Sequence, residues 1–192
     1  MALQMLTVWA KGPPGNKDKE AVRGALQTAQ EILKLTLDNW GQVNLEERGP
    51  LPNLIGYTED QDYVDADAAK AQEVARVRDL YLAASHRDIS KPVYVLFVVP
   101  AGEVVGANGF SIRRGYCSVV PVPTGVPGTA DGHTYGHEIA HGLSLKHLND
   151  TQNLMFPFRM LAPDKLSGDE LIEEQYIQMR RFLQEYPSLS IS

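Results

Sequence analysis

Seven consecutive apolar residues, Val93 to Val99, stand between Pro92 and Pro100. Strict alternation would mark a strand with one wet face; an unbroken apolar run of strand length fits a strand covered on both faces, interior to a sheet. The rest of the chain has to supply its neighbours. Leu3 to Ala10 is an apolar strand candidate closed by Gly12-Pro13-Pro14-Gly15. Val104 to Ile112 and Tyr116 to Val122 read as two more, joined by Arg113-Arg114-Gly115, and Gln42 to Glu47 alternates weakly before Gly49-Pro50. Between them lie helical patterns. Asn16 can cap a helix over 17–39, whose Val22, Ala25, Ala29, Ile32, Leu33, Leu37 and Trp40 keep a 3.6-residue spacing. A second, alanine-rich helix is predicted over 65–84, with Val74, Val77, Tyr81 and Ala84 on one side and an acidic start that suits a helix N-terminus. Pro121, Pro123 and Pro127 end regular structure before a helix over 131–143. Ser167 and Glu170 have capping-box spacing, opening a last helix whose Ile172, Tyr176, Met179, Leu183 and Tyr186 form one apolar face. The fold class is α+β, with a twisted mixed sheet of about five strands backed by helices. At 192 residues one domain is expected, with a real hydrophobic core or two lobes about a cleft.

Chemistry concentrates in residues 137–147, His-Glu-Ile-Ala-His-Gly-Leu-Ser-Leu-Lys-His, which hold three of the chain's five histidines. His137 and His141 are four apart, so on a helix, at about 100° per residue, they share a face. Two imidazoles placed so can grip one zinc ion, with Glu138 pointing toward the attacking water. His147 lies six residues past His141. On a continued helix it would sit roughly 120° off the His141 direction, outside any shared tetrahedral site. For His147 to join, the chain must leave the helix after His141 and swing back.

This segment resembles the metzincin zinc endopeptidases, whose pattern HExxHxxGxxH has a glycine at the bend. Here Ser144 occupies the glycine position, and a serine at positive φ costs roughly 1 kcal/mol or more relative to glycine. Met155 adds to the likeness. Alone it reads as a core methionine. Within Asn153-Leu154-Met155-Phe156-Pro157, eight residues past His147, it is similar to the Met-turn of matrix metalloproteinases. The likeness covers residues 137 to about 158. It implies a single catalytic domain over 1–192, divided into an upper region of residues 1–143 and a lower region of residues 144–192, with a zinc at the floor of the cleft. It implies zinc held by His137, His141 and His147, with Glu138 as general base hydrolysing peptide bonds of an extended polypeptide. It also implies an edge strand within Val104 to Ile112, with Gly106, Ala107, Asn108 and Gly109 nearest the metal and able to pair with substrate backbone. Pro157, Phe158 and Arg159 would line the pocket after the scissile bond, and Phe156 and Phe158 offer no phenol there.

Two other readings remain open at this point. A carboxylate, from Glu170, Glu173, Glu174, Asp150 or Asp164, could replace His147 as third ligand. Alternatively, the chain could hold zinc as a catalytically silent binding module. His133 reads as a residue of the helix entrance and His86 as a loop residue. Cys117 is the single cysteine, which excludes an internal disulfide and reads as a small buried thiol. No aspartate-rich loop matches a calcium site. Net charge is −6 with signs interspersed, which argues against nucleic acid as the main partner. No apolar run reaches membrane-spanning length. The start lacks the basic region of a signal peptide, so the protein is expected to act where it is made or to be the mature form of a secreted precursor. The expected partner is a protein or peptide substrate, and a monomer is the expectation.

Overall fold

The structure is a computed structural model that describes residues 2–9, 14–44, 63–64, 93–101, 109–112, 115–126, 130–156 and 168–185. Strands β1 (Ala2–Trp9), β2 (Thr36–Asn44), β3 (Tyr63–Val64), β4 (Val93–Val99), β5 (Phe110–Ile112) and β6 (Cys117–Pro121) form one six-stranded sheet in the order β2-β1-β4-β6-β5-β3. Neighbours are parallel except β5 and β6, which run antiparallel. The sheet is mixed, as expected, with six strands where about five were expected. The added one is the two-residue β3 on the margin. All seven residues of β4 are buried, so its uninterrupted apolar run does reflect cover on both faces.

Helix α1 (Asn16–Leu33) buries Val22, Ala25, Leu26, Ala29 and Leu33, a stripe at helical spacing. The apolar spacing predicts this helix as far as residue 39; the structure ends it at Leu33. Lys34 turns left-handed (φ 51°) and its N–H reaches the Glu31 carbonyl, an αL cap. Thr36–Asn44 then forms β2 alongside β1, so the strand expected at Gln42 to Glu47 begins earlier. Helix α2 (Gly132–Gly142) lies beside α1. Gly132 and Gly136 face Thr28 and Ala29 there, and a Cβ on Gly132 would sit 2.4 Å from the Thr28 Cβ. Small residues thus let the two helices approach closely. α2 also packs on β5 and β6, which puts residues 137–141 against the sheet's antiparallel corner.

Helix α3 (Glu173–Gln184) starts later than the Ser167–Glu170 pattern predicts. Gln175 Oε1 accepts the Ile172 N–H at 3.0 Å, while Glu170 pairs with Asn153 in a short β-bridge. The buried face of α3 carries Tyr176, Met179 and Leu183. Tyr176 donates its O–H to the Ile32 carbonyl (2.9 Å) beneath the Lys34 ammonium (4.4 Å from the ring), and Phe182 stacks on Tyr116 at 4.8 Å. One hydrophobic core joins α1, α2, α3 and the sheet. The helix expected over 65–84 and His86 lie outside the described residues. No helix among the described residues is long and apolar enough to cross a membrane.

Candidate metal centre

The helix that carries His137, Glu138 and His141 is anchored at its start by Asp131. Its Oδ1 accepts the backbone N–H groups of His133 (3.1 Å) and Thr134 (3.0 Å), satisfying donors that a helix N-terminus otherwise leaves unmet. His133 Nε2 lies 2.7 Å from Asp169 Oδ1 and its Nδ1 3.6 Å from Asp131 Oδ2. That ring belongs to the helix entrance, as the sequence suggested.

The end of α2 decides where His147 goes. The Leu145 N–H reaches back to the Ala140 carbonyl (3.0 Å) and the Ser144 N–H to the His141 carbonyl (2.9 Å). This pair of bonds is a Schellman motif, which needs its C′ residue at positive φ. That residue is Ser144, at φ 94°. The serine therefore performs the turn expected of a glycine. Its side chain helps hold the geometry, because Gln178 Nε2 on α3 donates to both Ser144 Oγ (2.9 Å) and the Ser144 carbonyl (3.0 Å). Gly142 is the last residue of α2, and a Cβ there would overlap the Tyr94 hydroxyl. Its role is close approach to the sheet.

Leaving the helix at Ser144 brings His147 back to the other two rings. The ligating nitrogens of His137, His141 and His147 all lie within 4.8 Å of one another. His141 Nε2 is 3.0 Å from His137 Nε2 and 3.1 Å from His147 Nε2. His141 is fully buried; the other two are partly exposed. The far nitrogens fix the tautomers. His137 Nδ1–H donates to the Leu154 carbonyl (2.7 Å) and His141 Nδ1–H to the Leu145 carbonyl (2.9 Å). A neutral imidazole has one N–H, so both Nε2 atoms present bare lone pairs to each other. Lone pairs at such a distance repel unless a cation lies between them. Tetrahedral zinc with Zn–N of about 2.0–2.1 Å places its ligand nitrogens about 3.3 Å apart, close to what these rings show. The donor set, the separations and the outer hydrogen bonds fit a divalent metal. Glu170, Glu173, Glu174 and Asp150 are all exposed, and among the described residues no carboxylate joins the cluster. Asp164 lies outside them.

The carbonyl that orients His137 belongs to a turn which is itself tied down. Met155, fully buried, returns its carbonyl to the Leu148 N–H (2.9 Å). Asn153 Oδ1 caps the Met155 N–H (2.9 Å) and accepts from Gln175 Nε2 (3.2 Å), while Asn153 Nδ2 donates to Gln175 Oε1 (2.8 Å). A buried reciprocal amide pair thus fastens the turn to α3. Sequence reasoning singles out Met155 and misses Asn153 and Gln175. Their contact spans 22 residues, and no local spacing announces it.

Glu138 is 3% exposed and faces β5 and β6. Its Oε2 accepts from Ser111 Oγ (2.8 Å), and its carbonyl accepts from Ser111 (2.6 Å) and Ser118 (3.0 Å). Tyr94 Oη lies 3.3 Å from that carbonyl and is hydrogen-bonded to Ser118 Oγ. Burial pushes the Tyr94 phenol well above its usual range, against the opposing pull of the Ser118 hydrogen bond. Gly109, one of the residues expected near the metal, meets Glu138: a Cβ there would be 2.9 Å from Glu138 Cγ and 3.2 Å from the Val119 carbonyl. Gly106, Ala107, Asn108, Pro157, Phe158 and Arg159 lie outside the described residues. An edge strand is expected within Val104 to Ile112, and residues 104–108 of that span lie outside the described residues. Ser111 and Ile112 already pair on their outer side with Tyr63 and Val64 of β3, which occupies the backbone groups a substrate would need.

No protein-family model matches the sequence, and no curated protein matches it. Among solved structures the fold is similar to metalloproteinase-II from Bacteroides fragilis, with a TM-score of 0.57 and 14% identity. That likeness covers 96% of this chain and 54% of the other, so the chain spans about half the length of that relative. A zinc-dependent peptidase from Methanocorpusculum labreanum matches with a TM-score of 0.53 and 13% identity, over 91% of this chain and 99% of that one. Archaemetzincin from Methanopyrus kandleri matches with a TM-score of 0.50 and 16% identity, over 95% and 96%. At these identities the likeness is one of fold.

Proposed function

We propose that the chain is a zinc-dependent endopeptidase of metzincin type, with Ser144 in the place of the family's bend glycine. One observation carries the reading: three imidazoles converge, and in two of them the far N–H is committed to a backbone carbonyl, so that bare nitrogens face one point. His137, His141 and His147 would hold the metal. Zinc, when bound by three neutral ligands, supplies a Lewis acid and an open position for water and substrate. Glu138 takes a proton from the attacking water and passes it to the leaving amine. Its burial beside Ser111 keeps the carboxylate away from bulk solvent. Met155 acts as the Met-turn residue, and its turn presents the Leu154 carbonyl to His137. Gly109, with Gly106, Ala107 and Asn108, is assigned to the substrate-facing strand, and Pro157, Phe158 and Arg159 to the pocket beyond the scissile bond. The likeness in fold to a zinc-dependent peptidase and to archaemetzincin supports this reading.

Cleavage-site profiling of the zinc-loaded protein on a peptide library tests it, with a chelator control. Glu138→Gln is expected to retain stoichiometric zinc and to lower kcat by about 10²–10⁴-fold. His147→Ala is expected to lose zinc. Zinc retained at full stoichiometry by His147→Ala, together with activity, would point to a carboxylate ligand. The absence of chelator-sensitive cleavage of any peptide would leave a zinc-binding module.

A further inference from the structure

Three hydroxyls from three different strands meet beneath Glu138. Tyr94 comes from β4, Ser118 from β6 and Ser111 from β5; the last two are directly cross-strand partners. All three are buried to 1% exposure or less. Buried hydroxyls in an otherwise apolar sheet cost stability unless each is satisfied, and here each is satisfied by the others and by Glu138. Tyr94 is bonded to Ser118, Ser118 Oγ is 2.7 Å from Ser111 Oγ, and Ser111 Oγ is 2.8 Å from Glu138 Oε2. Ser118 Oγ and Tyr94 Oη also reach the Glu138 carbonyl, at 3.0 and 3.3 Å, and the Ser111 proton points at Glu138. There it lies between two oxygens of one residue, the carbonyl at 2.6 Å and Oε2 at 2.8 Å. A hydroxyl bridging a carboxylate to its own backbone fixes the side-chain torsions between them. Hydroxyls bonded to one another polarise each other, and such a network is stronger than the same bonds taken singly. Gly109 closes the other side, since a Cβ there would press on Glu138 Cγ.

We propose that Ser111 is a positioning residue, whose hydroxyl, set within the Tyr94–Ser118–Ser111 cluster, holds Oε2 of Glu138 in one orientation. The inference rests on the reading of Glu138 as general base. Its effect is on the orientation of the base and not on metal affinity, because the cluster touches none of the three histidines.

The test compares Ser111→Ala and Ser111→Thr with the wild-type zinc-loaded protein. Three readouts are taken: steady-state kinetics on the best library peptide, zinc content, and the crystal structure of Ser111→Ala. Expected for Ser111→Ala is a kcat lower by about 10- to 100-fold, the factor attached to losing one hydrogen bond to a charged group. KM and zinc stoichiometry should be unchanged, and the Glu138 carboxylate should occupy more than one orientation over unmoved histidines. Ser111→Thr, which keeps the hydroxyl, should recover most of kcat. An unchanged kcat in Ser111→Ala overturns the proposal. So does an equal loss in both variants accompanied by lost zinc or lower thermal stability, which is the signature of a merely structural serine. If the wild-type protein cleaves no peptide, the proposed function fails on its own account. The crystal structure then decides this inference alone, and a Glu138 carboxylate unmoved in Ser111→Ala refutes it.

Discussion

Replacing Ser144 with glycine and with alanine separates two effects that act on the same residue. Ser144 stands at φ 94° and its hydroxyl accepts from Gln178. A non-glycine residue in this region carries about 1–2 kcal/mol of steric cost. Glycine removes that cost but loses about 0.5–1 kcal/mol by loosening the unfolded chain. The Ser144 Oγ–Gln178 bond is partly buried, and Gln178 keeps its second bond to the Ser144 carbonyl; losing the first is worth about 0.5–1 kcal/mol. Ser144→Ala keeps the strain and loses the bond, so it should be less stable by about 0.5–1 kcal/mol. Ser144→Gly loses the bond and the strain together, so the terms nearly cancel and stability should change by less than about 0.5 kcal/mol. Urea denaturation of the metal-free protein at neutral pH measures both. The reasoning is refuted if alanine proves as stable as glycine, because the turn then makes no left-handed demand. It is also refuted if Ser144→Gly costs more than about 1 kcal/mol, because the hydroxyl then outweighs the backbone.

Asn153→Ala strips the cap from Met155 and takes from Gln175 Nε2 its Asn153 acceptor, while Gln175 Oε1 keeps the Ile172 N–H. Thermal denaturation should show a loss of about 2–4 kcal/mol, and titration with zinc an affinity about tenfold weaker, since the Leu154 carbonyl that orients His137 shifts with the turn. Gly142→Ala forces a Cβ into the Tyr94 hydroxyl and should cost about 2–3 kcal/mol; adding Tyr94→Phe should recover part of that. Burial raises the folded-state phenol pKa of both Tyr94 and Tyr135. A raised folded pKa gives stability that is complete below the unfolded value, near pH 10, and falls as pH rises beyond it, by about 1.4 kcal/mol per unit for each tyrosine. Denaturation midpoints at pH 9 to 11 should show the decline, with a shallower slope in Tyr94→Phe.

The metal-binding segment is largely legible in the sequence because its constraint is local. Four-residue spacing puts His137 and His141 on one face, and a six-residue gap forces the turn that Ser144 makes. The end of α1 misleads for an equally local reason. Leu37 and Trp40 continue the helical spacing by coincidence, while the left-handed Lys34 that ends the helix carries no glycine to announce it. The Ser167–Glu170 spacing misleads because Glu170 is engaged by its backbone in the bridge to Asn153. The cluster under Glu138 is out of reach. Ser111 and Ser118 become partners only through strand register, and Tyr94 joins them from another strand. A sign is present all the same: Ser118 is a polar position inside an apolar strand, Tyr94 carries a hydroxyl into another, and buried hydroxyls need partners.

Gln178 fastens the bend before His147, and Gln175 fastens the turn whose carbonyl steers His137. Both glutamines sit on α3, downstream of every ligand they serve. During translation the three imidazoles therefore leave the ribosome before the helix that secures them, and a nascent chain stalled ahead of residue 173 presents histidines without their clasp. The order of synthesis therefore makes docking of that helix the last step in securing the three rings.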